Sequence, residues 1–378
     1  MAEDATTAGQ RAERETIDLP VATADAKTVR VQQGPLRALV ETLLVRLAVP
    51  AEDAGIVARS LVASDLRGMN SHGVLRLPVY LRRLRTGGVN PNAEAKIVRE
   101  TDGTALLDGD AGLGSVLTAH AMEMAIGKAK GRGIGAVGVR NSNHNGEGAF
   151  YASQAIEAGM IGIATTNASP IMPAWGGTTP ITGPLPITIG VPTGRHPPII
   201  FDAALGMSSR GKILQYAEEG RPLPDGWLVD KDGRPTNDPE WVRNGGWILP
   251  IGGHKGWGLI LACEILTGVL MGGAFGTELT NLYDDLDTPQ RNSHFVLAID
   301  VSAFLDPDAF RARMDGYVDL LKASAPAPGS DGVRMPGERE HDMERDQGLN
   351  GIALQRGVLQ EIVEIANEMG VTVHVAER

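Results

Sequence analysis

Apolar residues recur at the period of a helix in several stretches of this chain. Between residues 36 and 67 they fall every three or four positions and Pro50 interrupts them, which predicts two helices. Pro78 suits the first turn of a third helix, where its missing N–H costs no hydrogen bond. The predicted helices are 36–67 in two parts, 75–85, 114–130, 149–158 and 351–368, with others opening at Gly211 and at Gly252–Gly256.

Short apolar runs between glycine and proline turns predict strands in the middle of the chain. These runs are 134–139, 160–166, 187–191, 199–203, 294–301 and 371–375. We therefore expect an α/β (α+β) protein, with a mixed sheet in a central domain and a helical domain built from both termini. The expected bounds are a flexible tail over 1–32, a helical, substrate-binding domain over 33–150 and 310–378, and a central domain over 151–309.

The composition of the chain limits the kinds of molecule that it is expected to bind. The 378 residues carry a formal net charge of −11, with 42% hydrophobic and 21% charged residues. Such a chain lacks the basic face that nucleic acid or an anionic membrane surface requires, and no apolar run reaches the ~18 residues of a membrane span. The lone cysteine, Cys263, lies in an apolar run. We expect it in the core, without disulfides, as in a cytoplasmic protein.

Two histidines lie in glycine-rich polar segments. His72 lies in Asn70–Gly73, with Arg76 following, and His144 lies in Asn141–Gly146. Glycine lets a ligand approach the backbone closely, and histidine exchanges protons near neutral pH. The pair therefore indicates proton transfer in a polar pocket. Taken singly, each histidine also suits a helix cap or a turn, and no His/Cys spacing typical of a metal site accompanies them.

The segment Gly133–Gly138 fits the G-x-G-x-x-G pattern of dinucleotide-binding proteins. That pattern binds a pyrophosphate only where it follows a strand and opens a helix. Here a helix precedes the segment and a strand runs through it. We therefore expect no Rossmann domain.

Three charged residues suit an anionic ligand. Arg76 and Lys255 can each bind a carboxylate or a phosphate, and Lys255 lies between glycines at a predicted helix start. Asp202 ends a predicted strand, where it suits either a ribose hydroxyl or a turn or cap. Solvated surface charge is the alternative for both cations.

Taken together in chain order, these segments resemble the malate/L-lactate dehydrogenase type 2 family. The resemblance covers about residues 36–370, and its motifs specify the family without specifying a substrate. The matching stretches are Ser71–Tyr80, Asn141–Gly146, Thr166–Pro170, Trp175–Gly177, Asp202–Ala204, Gly211–Lys212, Pro224–Trp227, Gly252–Leu259 and Pro336–Glu338.

The resemblance implies a non-Rossmann nicotinamide-binding domain beside the helical domain, in a homodimer with the active site near the subunit interface. NAD or NADP would be the cofactor, and a small anionic compound the substrate. His72 and His144 would flank the substrate carbonyl, with Arg76 on its carboxylate and Ser71 hydrogen-bonded to it. The implied cofactor-binding residues are Ser169, Asp202, Ala203, Ala204, Lys255, Gly256, Pro336, Gly337 and Glu338.

One stretch departs from the family pattern. Relatives usually carry Gly-Thr-Asn-Pro where this chain has Gly183-Pro184-Leu185-Pro186. We expect Tyr80, Pro184 and Leu185 to line the substrate pocket and to make it less polar than a malate or lactate site.

The main hypothesis is an NAD(P)-dependent oxidoreductase that interconverts 2-oxo and 2-hydroxy acids. A cyclic ketimine (imino acid) reductase is the alternative within enzymes. From a different class, a non-catalytic small-molecule binding protein on the same fold is kept as well.

Overall fold

The computed structural model describes residues 15–25 and 27–377. The α-helices of this part are α1 (Gln33–Val45), α2 (Ala51–Leu66), α3 (Leu77–Thr86), α4 (Gly114–Ala129), α5 (Gly148–Glu157), α6 (Arg210–Glu218), α7 (His254–Glu264), α8 (Pro307–Lys322), α9 (Glu338–Asn350) and α10 (Arg356–Glu368). Short 3₁₀ turns and one π turn, Ile265–Val269, connect them.

Strands form one large mixed sheet and several small ones. They are β1 (Glu15–Thr23), β2 (Thr28–Val31), β3 (Lys96–Glu100), β4 (Thr104–Asp108), β5 (Ile134–Ser142), β6 (Met160–Thr166), β7 (Met172–Pro173), β8 (Pro180–Thr182), β9 (Pro186–Val191), β10 (Ile199–Ala204), β11 (Leu228–Val229), β12 (Pro235–Thr236), β13 (Trp247–Ile248), β14 (Asn292–Asp300), β15 (Ile352–Gln355) and β16 (Val371–Glu377). The seven-stranded sheet has the order β10-β9-β6-β14-β5-β4-β3, and only β4 and β5 pair in parallel. The expected mixed α/β class is confirmed.

Both chain ends meet in a second sheet, of order β15-β2-β1-β16. The expected tail over 1–32 is therefore wrong for residues 15–23 and 28–31, which are strands, whereas residues 1–14 lie outside the described part. Leu19 and Val31 are fully buried in this sheet. The pairing partners lie more than 300 residues away, at Val371 and Ile352, so local sequence carried no sign of them.

Two hydrophobic cores support the chain. The larger runs from the terminal sheet through α1–α4 to the middle of the seven-stranded sheet, and the smaller joins buried side chains between Met172 and Cys263. Cys263 lies in the core as expected. The seven-stranded sheet takes strands from both sides of the boundary expected near residue 150, so the division into domains stays a prediction.

The predicted helices are present, one of them with a later start. The helices expected over 36–67, 75–85 and 114–130 are present as α1–α4, and Pro78 lies in the first turn of α3. The helix expected over 351–368 begins only at Arg356, because Ile352–Gln355 pairs with β2. Helix α9 was not predicted, because Gln347 is its one buried residue and it has no apolar face. No helix among the described residues has the length and apolar character to cross a membrane.

The rejection of a Rossmann motif at Gly133–Gly138 is confirmed. Helix α4 ends at Ala129 and β5 begins at Ile134, so a strand runs through the glycines. A Cβ on Gly135 would lie 2.1 Å from the carbonyl oxygen of Ala125. A glycine at this position therefore allows α4 to pack closely against the sheet.

Candidate active site

The first histidine segment is a pair of 3₁₀ turns leading into α3. Asn70–His72 forms the first turn and Val74–Arg76 the second, joined at Gly73. The buried Asp65 on α2 holds this junction, because its Oδ2 accepts a hydrogen bond from Val74 N at 2.8 Å. Ser71 is exposed and His72 is partly exposed beside it.

The second histidine lies in the connection between β5 and α5. The backbone N–H of His144 donates to the side-chain oxygen of the buried Gln290 at 3.0 Å. Next to it, the Asn143 side chain donates to the carbonyl oxygens of Ala111 and Gly112, at 2.7 Å and 3.0 Å. The loop is therefore fixed on two sides, and the position of the imidazole with it.

The two histidine rings face each other. Their centroids lie 5.8 Å apart and their planes are 16° from parallel. The Tyr80 hydroxyl lies 2.6 Å from His144 Nδ1, and the Ser71 hydroxyl lies 3.0 Å from His72 Nδ1. The structure thus brings together four of the residues expected at the site, from segments about 70 positions apart.

Burial and a nearby charge lower the pKa of both imidazoles. Burial first, and then the Arg76 charge, lower the pKa of His72 to about 4, and the same causes hold the pKa of His144 well below its usual value. Burial raises the pKa of Tyr80, so its phenol keeps the proton beside His144 Nδ1. The tautomer of His144 sets which of the two groups donates in this hydrogen bond.

Arg76 lies beside the histidine pair. Its Nε donates to the carbonyl oxygen of Ser71 at 2.6 Å, and its guanidinium carbon lies 5.5 Å from the ring centroid of Tyr283. The Tyr283 loop is held by the fully buried Arg83, which donates to the carbonyl oxygen of Asp285 at 2.7 Å. One hydrogen bond to the backbone holds the Arg76 guanidinium. Its other N–H donors are available to an anionic ligand.

Part of the expected cofactor set lines one cavity. Asp202, Pro336 and Gly337 line a space of about 180 Å³ beside the middle of β10. Gly337 has φ of +85°, and a Cβ there would lie 3.0 Å from the backbone N and O of Ile200, so a glycine is required. Ala203 and Ala204 complete the strand.

Asp202 has the cap role that the sequence left as an alternative. Its Oδ2 accepts a hydrogen bond from Ala149 N, at the start of α5, and its Oδ1 accepts one from Thr188 Oγ1, both at 2.8 Å. Glu338 likewise forms an ion pair with Lys322 and accepts from Met335 N at 3.0 Å. Both carboxylates therefore have protein partners.

The remaining cofactor candidates lie near the smaller core. Lys255 is exposed in the first turn of α7, and Gly256 packs so closely on Ile251 that a Cβ would lie 1.8 Å from its carbonyl oxygen. Ser169 is partly exposed after β6. A Cβ on Gly183 would lie 3.1 Å from the carbonyl oxygen of Ser169.

Pro184 and Leu185, which were expected to make the substrate pocket less polar, lie in different surroundings. Pro184 is partly exposed and lies against Gly206, where a Cβ would be 3.2 Å from the Pro184 Cβ. Leu185 is fully buried in the smaller core. Its side chain therefore shapes the site only through the packing beneath it.

Sequence reasoning missed several residues that build the site. Tyr283 stacks on Arg76, Gln290 holds the His144 backbone, and Asp65 holds the turn after His72. Glu147 directly follows the glycine-rich segment of His144, and this position was the one available signal. Among the described residues, no group of three His, Cys, Asp or Glu side chains is arranged to hold a metal ion.

Comparison with known families identifies the family of this chain. A family model described as malate/L-lactate dehydrogenase matches residues 31–363, which include both histidine segments and the expected cofactor stretches. The chain belongs to the malate/L-lactate dehydrogenase family. Its membership confirms the resemblance that the short motifs indicated.

Relatives within the malate/L-lactate dehydrogenase family match along most of their length. A malate dehydrogenase from Pyrococcus abyssi is 39% identical over 357 residues, covering 92% of this chain and 97% of the relative. The structure of a sulfolactate dehydrogenase from Methanocaldococcus jannaschii has a TM-score of 0.86 and 37% identity, covering 90% and 97%. That of a Δ1-piperideine-2-carboxylate reductase from Pseudomonas syringae pvar. tomato has a TM-score of 0.79 and 28% identity, covering 89% and 99%.

Proposed function

We propose that this protein is an oxidoreductase that transfers a hydride between NAD(P)H and the carbonyl carbon of a 2-oxo acid. The observation that carries the proposal is the facing pair of His72 and His144 beside Arg76. Reduction of a carbonyl needs a proton donor at the oxygen, and a carboxylate beside that carbonyl needs a cation. The site offers both within one small region.

In this proposal Arg76 forks onto the substrate carboxylate and fixes the orientation of the carbonyl. Ser71 hydrogen-bonds the substrate, and Tyr80 and Pro184 line the pocket. The charge of Arg76 lowers the pKa of both histidines. The negative charge of the bound substrate offsets this effect and so raises both pKa values. One of them then carries the proton that reduction requires, and the same group accepts it on oxidation.

The nicotinamide supplies the hydride when it is bound. The residues we propose to hold it are Ser169, Asp202, Ala203, Ala204, Lys255, Gly256, Pro336, Gly337 and Glu338. Asp202, Pro336 and Gly337 among them line the cavity of about 180 Å³ beside β10, which gives a ligand space there. Relatives are named as NAD(+)-dependent and as NADP(+)-dependent dehydrogenases, which supports either cofactor here.

A direct assay tests the function. Oxidation of NADH and of NADPH is followed by the loss of absorbance of the reduced nicotinamide, with a panel of 2-oxo acids. We expect turnover of at least one acid, and a loss of about 10²-fold or more in kcat when His72 or His144, whichever donates the proton, is changed to Ala. Cofactor affinity should be retained in that variant. Two fully active variants would contradict the assignment of the histidines.

A cyclic ketimine is the second candidate substrate. The likeness to a Δ1-piperideine-2-carboxylate reductase favours it, because a protonated imine nitrogen can occupy the place of the carbonyl oxygen beside the same two histidines. Cyclic imino acids therefore belong on the same panel, and their turnover without that of any 2-oxo acid selects this alternative. Cofactor binding without turnover on the whole panel selects the non-catalytic binding protein.

We also propose a cytoplasmic homodimer with the active site near the subunit interface. Helix α7 and the turn after it expose Leu259, Ile265, Val269 and Leu270 at 46–60% of their surface, and Lys255 lies in the first turn of the same helix. A second copy covering this face would bury it. Sedimentation velocity should give twice the chain mass, and Leu270→Glu should give the monomer. Leu320→Glu, at a 69% exposed position of α8, should leave the dimer intact.

A further inference from the structure

The cavity beside β10 is also lined by residues outside the proposed cofactor set. It lies between α2, the His144 segment and the start of α9, and its volume of about 180 Å³ is much larger than one water needs. The polar and flexible side chains among these further lining residues are those of Arg67, Met69, Glu147 and Glu340.

Glu147 has one carboxylate oxygen in use and one free. Its Oε1 accepts a hydrogen bond from Arg67 Nε at 3.1 Å, and the side chain is 4% exposed. Its Oε2 is buried and has no hydrogen-bond partner among the described residues. A buried acceptor without a donor costs free energy, and because Glu147 lines the cavity, a ligand donor that reaches this oxygen would remove that cost.

The charge around that oxygen selects the kind of ligand. Three carboxyl groups line the cavity, those of Glu147, Asp202 and Glu340, against the single guanidinium of Arg67, which already pairs with Glu147. A phosphate placed there would meet an excess of negative charge. A neutral group that donates hydrogen bonds, such as a sugar diol, meets mainly acceptor side chains.

We propose that Glu147 Oε2 accepts a hydrogen bond from a ribose hydroxyl of the nicotinamide cofactor, and that this cavity takes an unphosphorylated ribose. The inference rests on the proposed function, because Asp202, Pro336 and Gly337 line the cavity and belong to the proposed cofactor set. Either ribose of the cofactor has the required chemistry. If the adenosine ribose enters, the cavity also selects NAD(H) over NADP(H), whose 2′-phosphate it repels.

The substitution Glu147→Gln removes the charge without changing the shape of the side chain. The amide oxygen can still accept from Arg67, which places an NH₂ group where Oε2 lies. We expect the dissociation constant of NADH, measured by calorimetric titration, to rise about tenfold or more, because the ribose hydroxyl then loses its hydrogen bond to a charged acceptor and meets a neutral amide. Glu344→Gln, at an exposed position of α9, is the matched control and should bind NADH as the unaltered protein does.

Two cofactor fragments identify the ribose. Weakened binding of ADP-ribose together with unchanged binding of nicotinamide mononucleotide assigns the adenosine ribose, and NADPH should then bind the unaltered protein more weakly than NADH. The reverse pattern assigns the nicotinamide ribose. Thermal unfolding shows whether Glu147→Gln folds. If it does not, Glu147→Asp serves for the same comparison, because its shorter side chain keeps the charge but moves the carboxylate oxygens away from the ligand.

Binding of NADH within twofold of the unaltered protein by a folded Glu147 variant overturns the inference. So does a loss of NADH affinity that neither fragment shares, since the effect would then be indirect. Failure of the proposed function looks different, because the unaltered protein would bind neither NADH nor NADPH.

Discussion

Replacing Arg76 by Gln should lower kcat/KM for a 2-oxo acid by about 10²-fold or more, equivalent to about 3 kcal/mol. Most of the loss should appear as a higher KM, because the guanidinium is proposed to bind the carboxylate in both the ground state and the transition state. Arg76 is partly buried between the Ser71 carbonyl and the Tyr283 ring, and these contacts hold its guanidinium in place. Steady-state kinetics with NADH at saturation measures the change.

The same substitution should move the pH profile. Arg76 is the second cause, after burial, of the low pKa of His72 and of His144. Removing its charge raises both pKa values, so each imidazolium persists to higher pH. Reduction needs the protonated donor, and the alkaline fall in kcat should therefore shift toward higher pH in Arg76→Gln.

Two further variants separate charge from geometry. Arg76→Lys keeps the charge and loses the fork, so KM should rise while the pH profile stays in place. Arg82→Gln removes an exposed guanidinium of α3 that pairs with Glu361, and it should change neither quantity. An Arg76→Gln enzyme with unaltered KM would exclude Arg76 as the carboxylate partner.

How well the sequence predicts each segment of this fold depends on how far along the chain its packing and pairing partners lie. Helix α1 was predicted because its buried residues recur at the helical period, and α2 because Pro50 precedes it and acidic residues lie in its first turn. Strands β1 and β2 were missed because their partners, β16 and β15, lie at the other end of the chain. Helix α9 was missed because it buries one residue only.

The same distinction between local and distant partners applies to the residues of the site. Ser71, His72 and Arg76 were recognised because they lie in one short segment, whose turns hold them together. Their meeting with His144 depends on the packing of α3 against the loop after β5, which the family resemblance implied and no local pattern encodes. Asp65 and Glu147 act as buried carboxyl groups, a property that only the folded surroundings create.

Gly73→Ala should destabilise the fold by about 3 kcal/mol, because the site has no space for a side chain. A Cβ on Gly73 would lie 1.9 Å from Asp65 Oδ1 and 2.1 Å from Asp65 Cγ. Asp65 is 1% exposed and bound to Val74 N, so its carboxyl cannot move aside into water. The backbone itself would accept alanine, since φ at Gly73 is −83°. The free energy of unfolding by urea measures the loss.

A double variant identifies the contact that causes this cost. In Asp65→Ala/Gly73→Ala the carboxyl that meets the new methyl group is gone, so the double variant should be more stable than the sum of the two single losses by 1 kcal/mol or more, roughly the coupling seen between residues in contact. Gly127→Ala is the matched control. It lies within α4, where an added methyl group would have no neighbouring atom within 4 Å outside its own helix backbone, and it should gain up to about 1 kcal/mol from helix propensity. Additive losses at positions 65 and 73 would show that Gly73 is required for a reason other than its contact with Asp65.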